Sequence, residues 1–130
     1  MRVVLDAWAV VALMKEEPAA GRVDQLMNRH DACISSINLG EAYYTVVRSH
    51  GRRIAAERVG DLRKAIQVDD PDWPLVRDAA EIKAGGGLSY PDAFCVATAR
   101  RHSAPLYTGD PEIVRLAGDD LDVVDLRATA

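Results

Sequence analysis

The sequence has few of the residues that define several large classes of protein. It has only two cysteines, Cys33 and Cys95, which provide neither a disulfide framework nor a paired-cysteine metal motif. Aromatic residues make up 5% of the chain, and no apolar run approaches the ~18 residues of a membrane-spanning helix. We therefore expect a reduced intracellular protein that neither spans a membrane nor depends on disulfide bonds.

A strong net charge is also absent. Twenty acidic and 16 basic residues give a formal charge of −4, which excludes a uniformly basic nucleic-acid-binding surface. The composition, 48% apolar and 28% charged over 130 residues, is typical of one globular domain and argues against disorder. We expect residues 1–130 to form a single domain.

Short apolar runs alternate with helical patterns along the chain. Strands are predicted at residues 3–5, 32–34, 106–107 and 123–124, and helices at about 6–15, 18–30, 35–48, 52–67, 75–83, 89–101 and from 111 onward. Pro18 is interpreted as a first-turn proline of the second helix, and residues 69–72 as a turn. The alternation predicts an α/β fold with a parallel sheet of four or five strands between helical layers. Ligands of such sheets bind beyond the carboxyl ends of the strands.

Four acidic residues follow predicted strands or begin helices. Asp6 follows the first strand, Glu41 lies early in the third helix, Asp92 begins the sixth helix and Asp110 follows the third strand. Carboxylates gathered in one place repel each other and need a cation. Oxygen ligands of this kind favour Mg²⁺ or Mn²⁺, and such a site is suited to phosphodiester hydrolysis.

Each of these acids also has a purely structural interpretation. Asp6 and Asp110 fit helix N-caps, and the latter precedes a first-turn proline. The spacings Ser89-x-x-Asp92 and Asn38-x-x-Glu41 both fit capping boxes. Only the four acids taken together favour a metal site over simple capping.

Four sequence blocks resemble the PIN-domain family, and within it the VapC-type ribonuclease toxins of bacterial toxin–antitoxin systems. The blocks are VVLDAWAVVALMKEEP, SSINLGEAYY, LSYPDAFCVATAR and LYTGDPEI, and they span residues 3–113. The resemblance implies a PIN-like three-layer α/β/α sandwich and Mg²⁺- or Mn²⁺-dependent endonucleolytic cleavage of RNA by a metal-activated water. It implies that the metal ligands are Asp6, Glu41, Asp92 and Asp110, with support from Ser35, Asn38 and Thr108.

The same resemblance implies partners and a location. It implies a prokaryotic cytoplasmic toxin, a cognate VapB-type antitoxin whose C-terminal segment obstructs the acidic groove, and a homodimer. We expect the dimer interface on the first two helices, at Leu13, Met14, Leu26 and Met27.

The charge is polarised along the chain. Residues 48–64 hold six basic and two acidic residues, whereas residues 110–125 hold six acidic residues and one basic residue. We predict that the RNA backbone is bound by Arg48, Arg52, Arg53 and Arg100. A solvated helix face with intrahelical ion pairs is the alternative interpretation.

Two other functions fit the same sequence features, and a third is disfavoured by them. A PIN-fold nuclease acting on DNA or structured nucleic acid would keep the same acids, and a catalytically silent member would only bind its antitoxin. A phosphoacceptor signalling module would need two adjacent acids after the first strand and a lysine near the last strands. The sequence has Asp6 alone at the first position and no lysine at the second.

Overall fold

The computed structural model describes residues 1–128. The elements follow in the order β1 (Arg2–Leu5), α1 (Ala7–Met14), α2 (Ala20–Arg29), β2 (Asp31–Ser35), α3 (Ser36–His50), α4 (Arg52–Ala65), β3 (Gln67–Asp69), α5 (Trp73–Ala84), α6 (Tyr90–His102), β4 (Leu106–Thr108), α7 (Pro111–Val114) and β5 (Val123–Asp125), before a 3-10 helix at Leu126–Ala128. None of the helices within residues 1–128 is both long and apolar enough to cross a bilayer.

The five strands form one parallel sheet in the order β3-β2-β1-β4-β5. The central strand β1 pairs Val4 with Cys33 of β2 and with Leu106 of β4, and all three side chains are fully buried. Uninterrupted apolar runs of this kind are expected where helices cover both faces of a parallel sheet. The predicted α/β class and the parallel sheet are confirmed.

Alternate residues of β1 enter two different parts of the core. Val3 and Leu5 pack with the apolar sides of α1, α2, α3 and α4, whereas Val4 packs with α6, β4 and α7. Because successive side chains of a strand point to opposite faces, these two clusters lie on opposite sides of the sheet. The predicted three-layer α/β/α sandwich is confirmed.

Strand β3 is missing from the sequence prediction, which extended the fourth helix to residue 67 and placed a turn from residue 69. In the structure α4 ends at Ala65, Ile66 is already extended (φ −133°, ψ 165°), and Gln67 pairs with Cys33. The segment Gln67–Asp69 has only one apolar residue and is not fully buried, so no periodic pattern distinguishes it. Pairing with β2, a tertiary interaction, makes it a strand.

The structure corrects two local predictions on α1 and α2, the second of them in part. Helix α2 begins at Ala20, and Pro18 lies in the preceding turn, where the Ala20 N–H donates to the Glu17 carbonyl at 2.9 Å. Met14 and Leu26, predicted at a dimer interface, are 5% and 8% exposed and belong to the core. Leu13 and Met27 are half-buried against the same core. Met14 and Leu26 are thus used in covering the sheet and cannot form the predicted interface, whereas Leu13 and Met27 keep partly exposed side chains.

Candidate acidic metal site

The carboxyl edge of the sheet carries an acidic residue at the end of its central strand. Asp6 directly follows β1 and is the N-cap of α1, where its Oδ1 accepts a hydrogen bond from the Ala9 N–H at 3.0 Å. The strand end and the helix enclose the side chain, which is only 3% exposed. Asp6 is therefore both a helix cap and a buried acid.

The neighbouring strand β4 connects a second acid to the first. The Thr108 hydroxyl donates a hydrogen bond to Asp6 Oδ2 and accepts one from the Asp110 N–H at 2.9 Å. Asp110 in turn caps α7 by accepting from the Glu112 N–H at 2.9 Å. A single buried hydroxyl thus sets the position of two acids relative to each other.

Helix α3 contributes the third acid through a buried amide. Asn38 is fully buried, and its Nδ2 donates to Glu41 Oε1 at 3.1 Å and to the Pro91 carbonyl at 2.9 Å. The Asn38 side chain therefore ties Glu41 to α6. Ser35 caps α3 by accepting from the Ile37 N–H at 3.3 Å, which fixes the start of the helix that carries Glu41.

Helix α6 places the fourth acid in its first turn. Ser89 is the N-cap, and its hydroxyl accepts from the Asp92 N–H at 3.2 Å. This is one half of the predicted capping box. The capping box predicted from Asn38 to Glu41 is wrong, because α3 already begins at Ser36 and its cap is Ser35.

The four acids act on one another electrostatically. Asp92 and Asp110 both raise the pKa of Asp6, Asp110 and Glu41 both raise the pKa of Asp92, and Asp110 raises that of Glu41. Like charges raise one another's pKa values when they lie near each other, and the hydrogen bonds of Thr108 and Asn38 connect the elements that carry these acids. The structure therefore brings together the four acids that the sequence analysis selected.

Burial is the largest cause of the raised pKa values. Together with like-charge repulsion it raises the pKa of Asp6 to about 7 and that of Asp92 to about 6, although hydrogen bonds donated by Thr108 and Ala9 to Asp6, and by Ser89 to Asp92, favour the ionised forms. Burial likewise raises the pKa of Glu41. Helix N-termini favour negative charge, but here desolvation and like-charge repulsion outweigh that effect. A cation would relieve both penalties.

The donor set fits a hard divalent ion. Within residues 1–128, no three of these carboxylates each bring an oxygen within 4.8 Å of the others, so the cluster is open. Mg²⁺ is usually bound through one or two carboxylates and keeps several waters, which an open cluster of this kind allows. In addition, the buried Asn38 Oδ1 has no hydrogen-bond partner within residues 1–128, and an acceptor oxygen of this kind suits the waters of a hard ion.

The predicted RNA-binding arginines occupy different surroundings. The Arg48 guanidinium lies 4.9 Å from the centre of the exposed Tyr44 ring. Arg52 and Arg53 are exposed at the start of α4. Arg100 pairs with Asp120 at 3.2 Å, near the far end of α6 and about 12 Å along the helix from Asp92.

Two residues near the site were not assigned to it from the sequence. Glu112, in the first turn of α7, adds to the negative field that raises the pKa of Asp92. Trp8 packs its ring against Gly109, where an added Cβ would lie 2.3 Å from ring carbons. The sequence signal for Glu112 is its place two residues after Asp110, whereas nothing in the sequence joins Trp8 to a residue 101 positions away.

The parallel α/β fold with an acidic cluster at the carboxyl edge of its sheet is the arrangement that the resemblance to the PIN-domain family implied. A comparison with family models gives the same family. The PIN-domain family model matches residues 3–119. Because this match covers most of the chain, the protein belongs to the PIN-domain family. No curated protein matches the sequence.

Solved structures with the same fold include several VapC toxins. VapC20 of Mycobacterium tuberculosis, described as a Sarcin-Ricin loop cleaving toxin, is 20% identical with a TM-score of 0.75, and the match covers 92% of this chain and 98% of that one. DNA-bound VapBC from Salmonella typhimurium is also 20% identical, with a TM-score of 0.75 and 97% and 98% coverage. VapBC-1 from nontypeable Haemophilus influenzae is 23% identical, with a TM-score of 0.73 and 98% and 99% coverage. At these identities the similarity shows that the fold is shared.

Proposed function

We propose that this protein is a VapC-type toxin, a divalent-metal-dependent endoribonuclease of a VapBC toxin–antitoxin system. The observation that carries the proposal is the grouping of Asp6, Glu41, Asp92 and Asp110, which are connected through the hydrogen bonds of Thr108 and Asn38 and by the repulsion that helps raise the pKa values of Asp6, Glu41 and Asp92. Membership of the PIN-domain family supports a nuclease. The shared fold with VapC toxins supports the toxin assignment.

The four acids share one proposed role, but burial and repulsion affect them to different degrees. Asp6 and Asp92 carry the pKa values raised furthest among them, to about 7 and about 6, and therefore gain most from a nearby cation. We assign them, with Asp110 and Glu41, to holding Mg²⁺ or Mn²⁺. When bound, such an ion lowers the pKa of a coordinated water and offsets charge on phosphate oxygens.

Three polar side chains keep the acids in place. Thr108 holds Asp6 and the backbone of Asp110, Asn38 holds Glu41, and Ser35 fixes the N-terminus of α3. Supporting contacts of this kind typically change metal affinity or activity about 10–100-fold when they are removed. We therefore assign Thr108, Asn38 and Ser35 to positioning.

Helix α3 offers a route for RNA to the acids. Glu41, Tyr44 and Arg48 are spaced three and four residues apart, so they share one side of the helix. The exposed Tyr44 ring, covered by the Arg48 guanidinium, can stack on an unpaired base while the arginine binds phosphate. Arg52 and Arg53 extend this positive surface, whereas RNA would have to displace Asp120 from Arg100.

The proposal includes two protein partners. A VapB-type antitoxin is expected because several structures with this fold are VapBC complexes. A second copy of the toxin is expected from the family resemblance, at a surface other than the buried Met14 and Leu26. A toxin that cleaves cellular RNA would act in the prokaryotic cytoplasm.

Cleavage assays on matched RNA and DNA oligonucleotides test the proposal. We expect RNA cleavage with Mg²⁺ or Mn²⁺, none with chelator, and none with Asp92→Asn. Asp61→Asn, which alters an exposed acid of α4, is the matched control and should be fully active. Preferential cleavage of DNA would favour the nuclease alternative, and antitoxin binding without any cleavage would favour a silent member. Full activity in chelator would contradict the metal assignment.

A further inference from the structure

A second group of metal-ligating side chains lies on the sheet face that packs against α6. Cys33 of β2, Asp69 of β3 and His102 of α6 each place a ligand atom within 4.8 Å of the other two. Cys33 pairs with Gln67, so Asp69, two residues further on, points to the same face as the cysteine. None of the three belongs to the acidic site proposed above.

Neighbouring side chains already orient the two polar members. Asp69 Oδ1 accepts a hydrogen bond from Gln67 Nε2 at 2.8 Å, which leaves Oδ2 at 2.5 Å from His102 Nε2. On its other side, the His102 ring lies with Nδ1 at 3.4 Å from Arg2 Nη1. Metal-binding histidines and carboxylates are usually oriented by such outer contacts.

We propose that Cys33, Asp69 and His102 form a binding site for Zn²⁺ or a similar borderline transition-metal ion. One thiolate, one imidazole and one carboxylate are ligands that suit Zn²⁺ and disfavour Mg²⁺. The ligands come from three separate elements of the fold, so the ion would join β2, β3 and the end of α6. This site is independent of the proposed nuclease function.

The surroundings leave room for a fourth ligand and a path for the ion. Cys33 is fully buried, whereas the His102 and Asp69 side chains are 20% and 21% exposed. Asp69 and His102 also line a cavity of about 310 Å³. An ion can therefore approach from the side of these two residues, with the thiol beneath, and a water can complete a tetrahedral set.

The protons and charges balance when the ion binds. In the neutral His102 ring, an Nδ1 that accepts from Arg2 leaves the ring proton on Nε2, from which it is donated to Asp69. Binding through Nε2 shifts that proton to Nδ1, and the thiol of Cys33 loses its proton to solvent. One thiolate and one carboxylate then offset the two positive charges. Arg2 then loses only its 3.4 Å contact with His102 Nδ1. Its hydrogen bonds to Asp31 Oδ2, at 3.1 Å from Nε and 2.7 Å from Nη2, remain.

Cobalt substitution tests the site with a readout that the acidic site does not share. Co²⁺ is added to metal-free Asp92→Asn protein, which weakens the acidic site, and thiolate-to-cobalt absorption is recorded. We expect one equivalent of Co²⁺ to give this absorption and Zn²⁺ to displace it. Cys33→Ala should abolish the absorption, whereas Cys95→Ala, which alters the other buried cysteine, should retain it.

A second pair of variants tests the site without the risk that replacing the buried Cys33 unfolds the protein. His102→Gln and Asp69→Asn keep the size of partly exposed side chains, and each should weaken Zn²⁺ binding at least about 10-fold. His50→Gln, at an exposed histidine, should bind as the parent does. Zn²⁺ should also raise the thermal midpoint of the parent but not of His102→Gln. Absence of thiolate absorption in the Asp92→Asn protein that keeps Cys33, or its persistence in Cys33→Ala, would overturn the proposal and leave only a structural His102–Asp69 hydrogen bond.

Discussion

The hydroxyl of Thr108 donates a hydrogen bond to the buried carboxylate of Asp6 across two neighbouring strands. The same oxygen accepts from the Asp110 N–H at 2.9 Å. Thr108 is itself fully buried, so no solvent replaces these contacts if the hydroxyl is lost. The spacing of two proposed metal ligands therefore depends on one side chain that binds no metal.

Replacing Thr108 by valine should damage both stability and cleavage. Thr108→Val keeps the shape but leaves the Asp6 oxygen and the Asp110 N–H without this partner, a cost of about 1–3 kcal/mol in unfolding free energy. Activity should fall about 10–100-fold. Thr108→Ser, which keeps the hydroxyl, should recover most of both. Urea denaturation and RNA cleavage measure the two effects, and an unimpaired valine variant would contradict the assigned role.

Removing one charge from the acidic cluster should stabilise the metal-free protein while abolishing cleavage. Asp92→Asn and Asp6→Asn relieve both the desolvation and the repulsion that raise the pKa of these groups. In chelator the thermal midpoint should rise by roughly 2–6 °C, and added Mg²⁺ should no longer raise it. Asp61→Asn should leave the midpoint unchanged. A lowered midpoint for both site variants would argue against a repulsive cluster.

The stability of the metal-free protein should fall as pH rises. Between its ordinary pKa of 3.8 and its native value of about 7, Asp6 is protonated in the native state and ionised in the unfolded state. The native state thus binds more protons in this window, so unfolding becomes easier as pH increases. A shift of about three pKa units corresponds to about 4 kcal/mol.

Denaturation in chelator at about pH 5 and about pH 8 measures this effect. Asp6→Asn should flatten the dependence, because the asparagine does not titrate. Mg²⁺ should restore stability at the higher pH by offsetting the ionised carboxylates. A metal-free protein that became more stable over this range would refute the expected sign.

A side chain at Gly109 should destabilise the turn that carries Asp110. An added Cβ would lie 2.3 Å from two ring carbons of Trp8, so Gly109→Ala forces the ring or the backbone to move, at about 1–3 kcal/mol. Trp8→Ala should suppress this cost in the double variant, which a double-mutant cycle detects. Gly60→Ala, in α4 with nothing within 4 Å of its added Cβ, is the control and should be neutral or stabilising. Additive effects of the two Trp8–Gly109 substitutions would contradict the contact.

The arginine stacked on Tyr44 should contribute to RNA affinity through phosphate contact. Arg48→Gln should weaken binding to single-stranded RNA of any sequence and reduce the slope of log affinity against log salt by about 1. Arg29→Gln, at the end of α2, removes the same charge elsewhere and should change neither. Titrations with uncleavable RNA at several salt concentrations give both quantities. Equal effects of the two substitutions would show that Arg48 affects RNA affinity only through the net charge of the protein.

The central strands and the acidic residues were accessible from local sequence. Val3, Val4 and Leu5 form an apolar run that suits a strand covered on both faces, and Asp6 follows it directly. Strand ends, caps and first-turn acids depend on neighbours within a few residues, so local patterns predict them. Capping alone explained each acid separately, whereas their expected position at one edge of a parallel sheet grouped them, and the family resemblance supported that group.

The relations across the sheet were decided only by tertiary structure. Gln67–Asp69 is a strand because it pairs with β2, and Met14 and Leu26 are buried because the sheet lies beneath them. The same pairing puts Asp69 on the same face of the sheet as Cys33. In the sequence these two residues indicated only a turn and a buried thiol. Local sequence thus determined which residues end strands and begin helices, since that chemistry acts over one turn of chain. The fold alone decided which distant side chains meet, since packing between layers depends on the whole core.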